Sequence, residues 1–175
     1  MAVLPILTAP HHRLKLKAEP VEKIDAAICQ LIDDMLETMY AAPGIGLAAP
    51  QVNILKRLLV IDLTKENEPH TPFCMINPEL IWLSDEKSTY KEGCLSVPRH
   101  YADVVRPASI RVRFSDRYNK TNEIVADDRL ATVIQHEIDH LDGILFFDHL
   151  TDLKRNIIIR KLIKIKKTKP VGVKF

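Results

Sequence analysis

Residues 130 to 150 read LATVIQHEIDHLDGILFFDHL. Two histidines stand four apart with a glutamate directly after the first: His136, Glu137 and His140. On an α-helix, positions i and i+4 share one face about one turn apart, so both imidazoles can reach one metal ion with Glu137 beside it. Such a helix is expected to start after Asp127 or Asp128, either of which can cap its first amides. It stops at Gly143, a residue suited to the left-handed position past a helix end. Two imidazoles leave a metal site short of a ligand, so the chain must supply a third from elsewhere.

Zinc proteases that extend this motif place a third histidine where Phe146 stands here, and a phenyl ring has no lone pair to donate. His149 lies close in sequence, but the apolar run from Ile144 to Phe147 before it reads as a strand or core segment. The better candidate is upstream, in KEGCLSVP, where Cys94 sits between Gly93 and Leu95 in a short turn after a strand-like stretch. Glycine permits close backbone approach, and a thiolate is a strong ligand for a borderline-soft cation. One sulfur and two imidazole nitrogens leave a fourth position open, as catalytic metals require.

The chain has 175 residues and is 46% hydrophobic, enough to bury roughly 70% of its unfolded surface. One domain spanning 1–175 is expected. No apolar run reaches the length of a membrane span, so no membrane partner is expected, and MAVLPILTAPHHR lacks the features of a secretory signal. A cytoplasmic location is expected. Three cysteines are too few for a disulfide framework, and Cys29 and Cys74 read as buried apolar thiols. Of 25 basic and 23 acidic residues, the last 25 positions hold nine basic and one acidic, net +8. The first 150 therefore carry 16 basic and 22 acidic residues, net −6.

From Val21 to Tyr40 apolar residues recur at helical spacing, predicting a long N-terminal amphipathic helix. AAPGIGLAAPQV follows, and its glycines and prolines predict a loop or irregular edge. RLLVIDL, FCMINPELIWL, YADVV and SIRVRFS read as strands, the last with Ile110, Val112 and Phe114 on one face and Arg111 and Arg113 on the other. Leu153 to Lys167, with Leu153, Ile157, Leu162, Ile163 and Ile165 as its apolar positions, predicts a basic C-terminal helix. The order of elements argues for an α+β fold with mostly antiparallel sheets around a central HExxH helix.

GIGLAAPQV at 44 to 52, EGCLS at 92 to 96 and QHEIDH at 135 to 140 resemble, in order and spacing, the signature motifs of peptide deformylases. The long first helix and basic last helix look like the bacterial-type members. The resemblance implies that Cys94, His136 and His140 hold a divalent ion, Fe²⁺ in the native enzyme, with Zn²⁺, Ni²⁺ or Co²⁺ as substitutes. It implies hydrolysis of the N-terminal formyl group of newly synthesised, N-formylated peptides, with Glu137 moving the proton. Gln51 and the Leu95 amide would be the oxyanion donors. Substrate would pair with main chain near Ile45, Gly46 and Gly93, and a methionine pocket would involve Gly44 and Val133. Glu92 and Arg106 would brace the Cys94 turn, while Asp139 could orient a ligand or balance charge.

Two readings compete with this one. HExxH alone favours a zinc endopeptidase, and the basic tail favours a nucleic-acid or ribosome-binding module. Ribosome docking by the last helix is compatible with action on nascent chains, and DNA is not an expected partner.

Overall fold

The carboxylate of Asp25 starts the first helix by accepting from the amides of Ala27 and Ile28 at 3.1 Å each. This satisfies two of the donors that a helix N-terminus leaves free. The computed structural model describes residues 2–65 and 68–168, and in it helix α1 runs Ala26–Ala41. The expected start near Val21 is too early, because the Val21 amide instead donates to Asn77 Oδ1 at 2.8 Å and ties that segment to a strand.

Seven strands follow among the described residues: β1 Gly46–Ala48, β2 Leu58–Ile61, β3 Phe73–Leu83, β4 Lys87–Cys94, β5 Val97–Pro107, β6 Ser109–Ser115 and β7 Thr121–Asp127. One five-stranded sheet has the order β1-β2-β3-β6-β7, and β4 and β5 form a separate hairpin. All pairs are antiparallel. FCMINPELIWL and SIRVRFS coincide with β3 and β6, and Ile110, Val112 and Phe114 are buried while Arg111 and Arg113 are exposed. β2 is buried along its whole length, for a clear reason. Leu59 and Ile61 pack toward the HExxH helix, and Leu58 and Val60 pack with Met35 and Met39 of α1. A strand covered on both faces reads as an unbroken apolar run.

Helix α2, Asp128–Leu141, packs Ala131, Ile134, Ile138 and Leu141 against the sheet, a 3- to 4-residue stripe. Side-chain capping by Asp127 or Asp128 does not occur. Asp128 adopts φ 51, and its amide donates to Ala108 O at 3.1 Å, so the corner from β7 fixes the helix start. At the other end Gly143 has φ 75, and a Cβ there would lie 2.5 Å from the Lys15 carbonyl oxygen. Only glycine fits.

Phe146 and Phe147 are core residues in a 3-10 turn, Phe146–His149, and not in a strand. Helix α3, Asp152–Thr168, covers them with Ile158 and Leu162. The apolar stripe expected on this helix is therefore shifted: Leu153 is 73% exposed and Ile157 is 44% exposed, because only one narrow face meets the body. Residues 169–175, with Lys169 and Lys174 of the basic tail, lie outside the described residues. No helix among the described residues is long and apolar enough to cross a membrane.

Candidate metal centre

Three elements deliver the donors. α2 presents His136 and His140 one turn apart with their rings 5.0 Å between centroids. The β4–β5 hairpin delivers Cys94 at the last residue of β4, where the register shifts between Gly93 and Cys94. Such a bulge re-aims a side chain, here toward the helix. Cys94 Sγ lies 3.2 Å from His140 Nε2, and the donor atoms of Cys94, His136 and His140 all fall within 4.8 Å of one another. His149 is not among them: its Nε2 lies 2.7 Å from Asp139 Oδ2. Phe146 stacks against His136 with centroids 6.3 Å apart, filling the position that a protease's third histidine would need.

Buried partners hold this arrangement. His136 Nδ1 sits 2.7 Å from Glu92 Oε2, which fixes the ring and leaves Nε2 for the centre. Arg106 donates to both oxygens of Glu92, at 2.6 and 3.0 Å, and to Asp139 Oδ2 at 2.8 Å. Burial opposes the Glu92 charge, but the bonds from His136 and Arg106 win and bring its pKa down to about 2. Burial likewise opposes a charged His136, yet Cys94 and Glu92 push that imidazole well above its ordinary value. His140 is pushed well below it by burial and by His136. Its Nδ1 is buried without a hydrogen-bond partner among the described residues. One sulfur and two oriented imidazoles gathered this closely fit a single divalent ion of N/S preference.

Glu137 faces the same space. Burial, then the charges of Glu92 and Asp139, raise its pKa to about 7, although His136 and Arg106 pull the other way. Its Oε2 has no hydrogen-bond partner among the described residues. Gly46 explains how the carboxylate fits, since a Cβ there would overlap Glu137 Oε1. Gln51, in the 3-10 turn after β1, accepts from the Ala48 amide through Oε1 at 2.8 Å. It directs Nε2 toward Cys94 Sγ at 3.5 Å and Ser96 Oγ at 3.1 Å. A cleft of about 540 Å³ opens over these groups. Gly44, Ile45, Gly46, Gly93, Leu95 and Val133 all line it.

Of the residues assigned to the site in the sequence, Gly44, Ile45, Gly46, Gln51, Glu92, Gly93, Cys94, Leu95, Val133, His136 and Glu137 line the cleft, and His140 and Arg106 contact Cys94 and Glu92 behind it. Two sets of contacts were not anticipated. Ser96 anchors Gln51, and the Arg106–Asp139–His149 contacts tie the helix to the hairpin. EGCLS contains Ser96, which was a usable signal. Nothing local brings positions 106, 139 and 149 together; only the fold does.

The family model for polypeptide deformylase matches residues 3–156. The chain belongs to the polypeptide deformylase family. A peptide deformylase of Rhizobium meliloti strain 1021 is 52% identical over 169 residues, covering 97% of each chain. The crystal structure of peptide deformylase from Ehrlichia chaffeensis in complex with actinonin is similar with a TM-score of 0.90 at 45% identity. That match covers 97% of this chain and 100% of the other. A Met-Ala-Ser-bound class I type b peptide deformylase from Acinetobacter baumannii has a TM-score of 0.80 at 35% identity, covering 85% and 99%. Deformylases are metal-dependent hydrolases that remove the formyl group from N-terminal formylmethionine, and this chain is such an enzyme.

Proposed function

We propose that Cys94, His136 and His140 hold one divalent ion at the cleft floor, and that Glu137, Gln51 and the Leu95 amide carry out deformylation around it. The observation that carries this reading is the gathering of three donor atoms within 4.8 Å beside a buried, unpartnered carboxylate oxygen. A bound divalent ion supplies a Lewis acid and brings the pKa of water at the site toward neutrality. Glu137 takes a proton from the attacking water and returns it to the departing methionine nitrogen, and a pKa near 7 suits both transfers. Gln51 Nε2 and the Leu95 N–H donate to the formyl oxygen as charge grows on it. A donor so placed is worth about 10²–10³ in turnover. Formate and a free N-terminal methionine leave.

The peptide lies extended along the edge of β1 and the hairpin, pairing with main chain near Ile45, Gly46 and Gly93. Its methionine side chain enters the part of the cleft bounded by Gly44 and Val133. The Met-Ala-Ser complex of the Acinetobacter relative supports peptide occupancy of this cleft. The ion is Fe²⁺ natively, with Zn²⁺, Ni²⁺ and Co²⁺ able to replace it. The whole chain works as one catalytic domain in the cytoplasm, with basic α3 docking on the ribosome, where formylated nascent peptides emerge.

Formate release from a formyl-Met tripeptide by Fe²⁺- or Ni²⁺-loaded protein tests the reading, with an acetyl-Met peptide and Glu137→Ala run alongside. Release from the formyl peptide alone, abolished in the variant, is the expected result. An active Glu137→Ala enzyme would overturn the assigned role. Co-sedimentation with ribosomes, lost on truncation after Thr151, tests the docking.

A further inference from the structure

The cleft's outer rim is lined by cations that the chemistry above does not use. Arg129, Thr132, Val133, His136 and Glu137 line the cleft from one face of α2. Arg129 precedes His136 by seven positions, which places it about 10 Å out along the helix axis. On the opposite wall Lys91 precedes Cys94 by three positions, also about 10 Å along a strand. Lys91, Arg99 and Tyr101 are exposed on the β4–β5 hairpin and, with Gly93, line the cleft. Tyr101 lies on Gly93, where a Cβ would come within 2.5 Å of its ring, and Lys91 Nζ stands 5.9 Å from the Tyr101 ring centroid.

Among the described residues no carboxylate pairs with this rim within 4 Å. Lys91, Arg99 and Arg129 form no ion pair among the described residues, although Asp103 is the cross-strand neighbour of Lys91 and Asp128 adjoins Arg129. The acidic groups that line the cleft, Glu92 and Glu137, belong to the floor, and Glu92 is matched by Arg106 and His136. This local excess contrasts with the net −6 of the first 150 residues. An extended peptide rises about 3.3 Å per residue, so a span of about 10 Å from the reacting formyl-methionine reaches the second to fourth residues.

Resting on the deformylase reading, we infer that Lys91, Arg99 and Arg129 form a specificity rim favouring formylated peptides with an acidic side chain shortly after the methionine, most strongly at the third residue. The attraction acts on capture of the peptide and is read in kcat/KM. Exposed charges contribute modestly and are screened by salt.

The test uses metal-loaded enzyme and C-terminally amidated formyl-Met-Ala-Xaa-Ala peptides with Xaa as Asp, Ser or Lys, so that no terminal carboxylate competes. At low ionic strength kcat/KM for Asp should exceed that for Lys about tenfold, with Ser between. The ratio should fall toward unity near 1 M salt, where the screening length is about 3 Å. In the Lys91→Glu/Arg129→Glu variant the Asp-to-Lys ratio should drop below one; as a ratio, it is insensitive to the fraction of folded protein. Equal rates on all three peptides overturn the rim while leaving deformylation intact. An unchanged ratio in the variant overturns the assignment to these residues. No formate from any peptide overturns both readings.

Discussion

Glu92 and Glu137 are both buried carboxylates beside His136, yet the fold treats them oppositely. Glu92 has three close partner contacts, two from Arg106 and one from His136, and its pKa is brought down to about 2. Glu137 has an oxygen with no partner, and burial lifts its pKa to about 7. A carboxylate locked in its charged form can brace a ligand but cannot trade protons near neutral pH. One whose two forms are nearly balanced can. In the proposed mechanism the environment, not the residue type, divides the work of bracing from that of proton transfer.

Exchanging each carboxylate for its amide tests that division. Glu137→Gln should lower kcat by about 10²–10⁴ while the protein stays folded and keeps its metal, because the change removes a proton carrier and a buried charge with no fixed partner. Metal analysis beside single-turnover formate release reads both; a large loss of metal would erase the contrast. Glu92→Gln should act on the scaffold instead. Arg106 would face a neutral amide, a buried pair would be broken, and the loss should be about 3–5 kcal/mol by denaturant unfolding. Metal affinity should fall about 10–100-fold, since the group orienting His136 is altered.

Gly46→Ala sharpens the comparison from the other side. The added methyl would overlap Glu137 Oε1 and press on a residue whose free oxygen is the point of the design. Overpacking of this kind costs about 1–3 kcal/mol. Displacement of the carboxylate should appear in kcat more than in KM for a formyl-Met peptide. The same substitution would leave Glu92 untouched, so metal retention should follow the wild type.

The sequence displayed the two roles unevenly. Periodicity made α1 legible and alternation made β6 legible residue by residue, because both follow from one face being buried. The His136–Glu137–His140 spacing could be read the same way. Cys94 was legible as a donor, but its aim depends on the register shift after Gly93, a pairing between distant positions. β7 was missed as a strand, β1 fell in the stretch expected as a loop or irregular edge, and of β4 only a strand-like approach to Cys94 was read: β1 is three residues long, and much of β4 and β7 is exposed, so neither shows a long apolar pattern. Capping of α2 was misread because Asp128 uses its tolerance for positive φ to turn the corner, while its side chain caps nothing. What stayed hidden was contact between distant residues, such as Asp139 with Arg106.

A third carboxylate outside the centre shows whether the Glu92 solution is general. Asp62, just after β2, is 4% exposed and accepts from Tyr40 Oη at 2.7 Å and the Thr64 amide at 2.9 Å; His70 Nδ1 lies 2.8 Å away. Burial works against its charge, but the bonds from Thr64, Tyr40 and His70 outweigh it and hold the pKa well below the usual aspartate value. A depressed folded-state pKa stabilises the fold above the unfolded-state value, near 3.8, and that stability is lost as pH falls toward the folded-state value. Asp62→Asn should therefore cost about 1–3 kcal/mol at pH 7, from weakened bonds to a charged acceptor. The gap between variant and wild type should close progressively below about pH 4. Thermal unfolding of both proteins from pH 7 to pH 2 measures it. A gap that stayed constant with pH would mean that Asp62 acts through shape rather than charge, and that partnered carboxylates in this fold are not all fixed as Glu92 is.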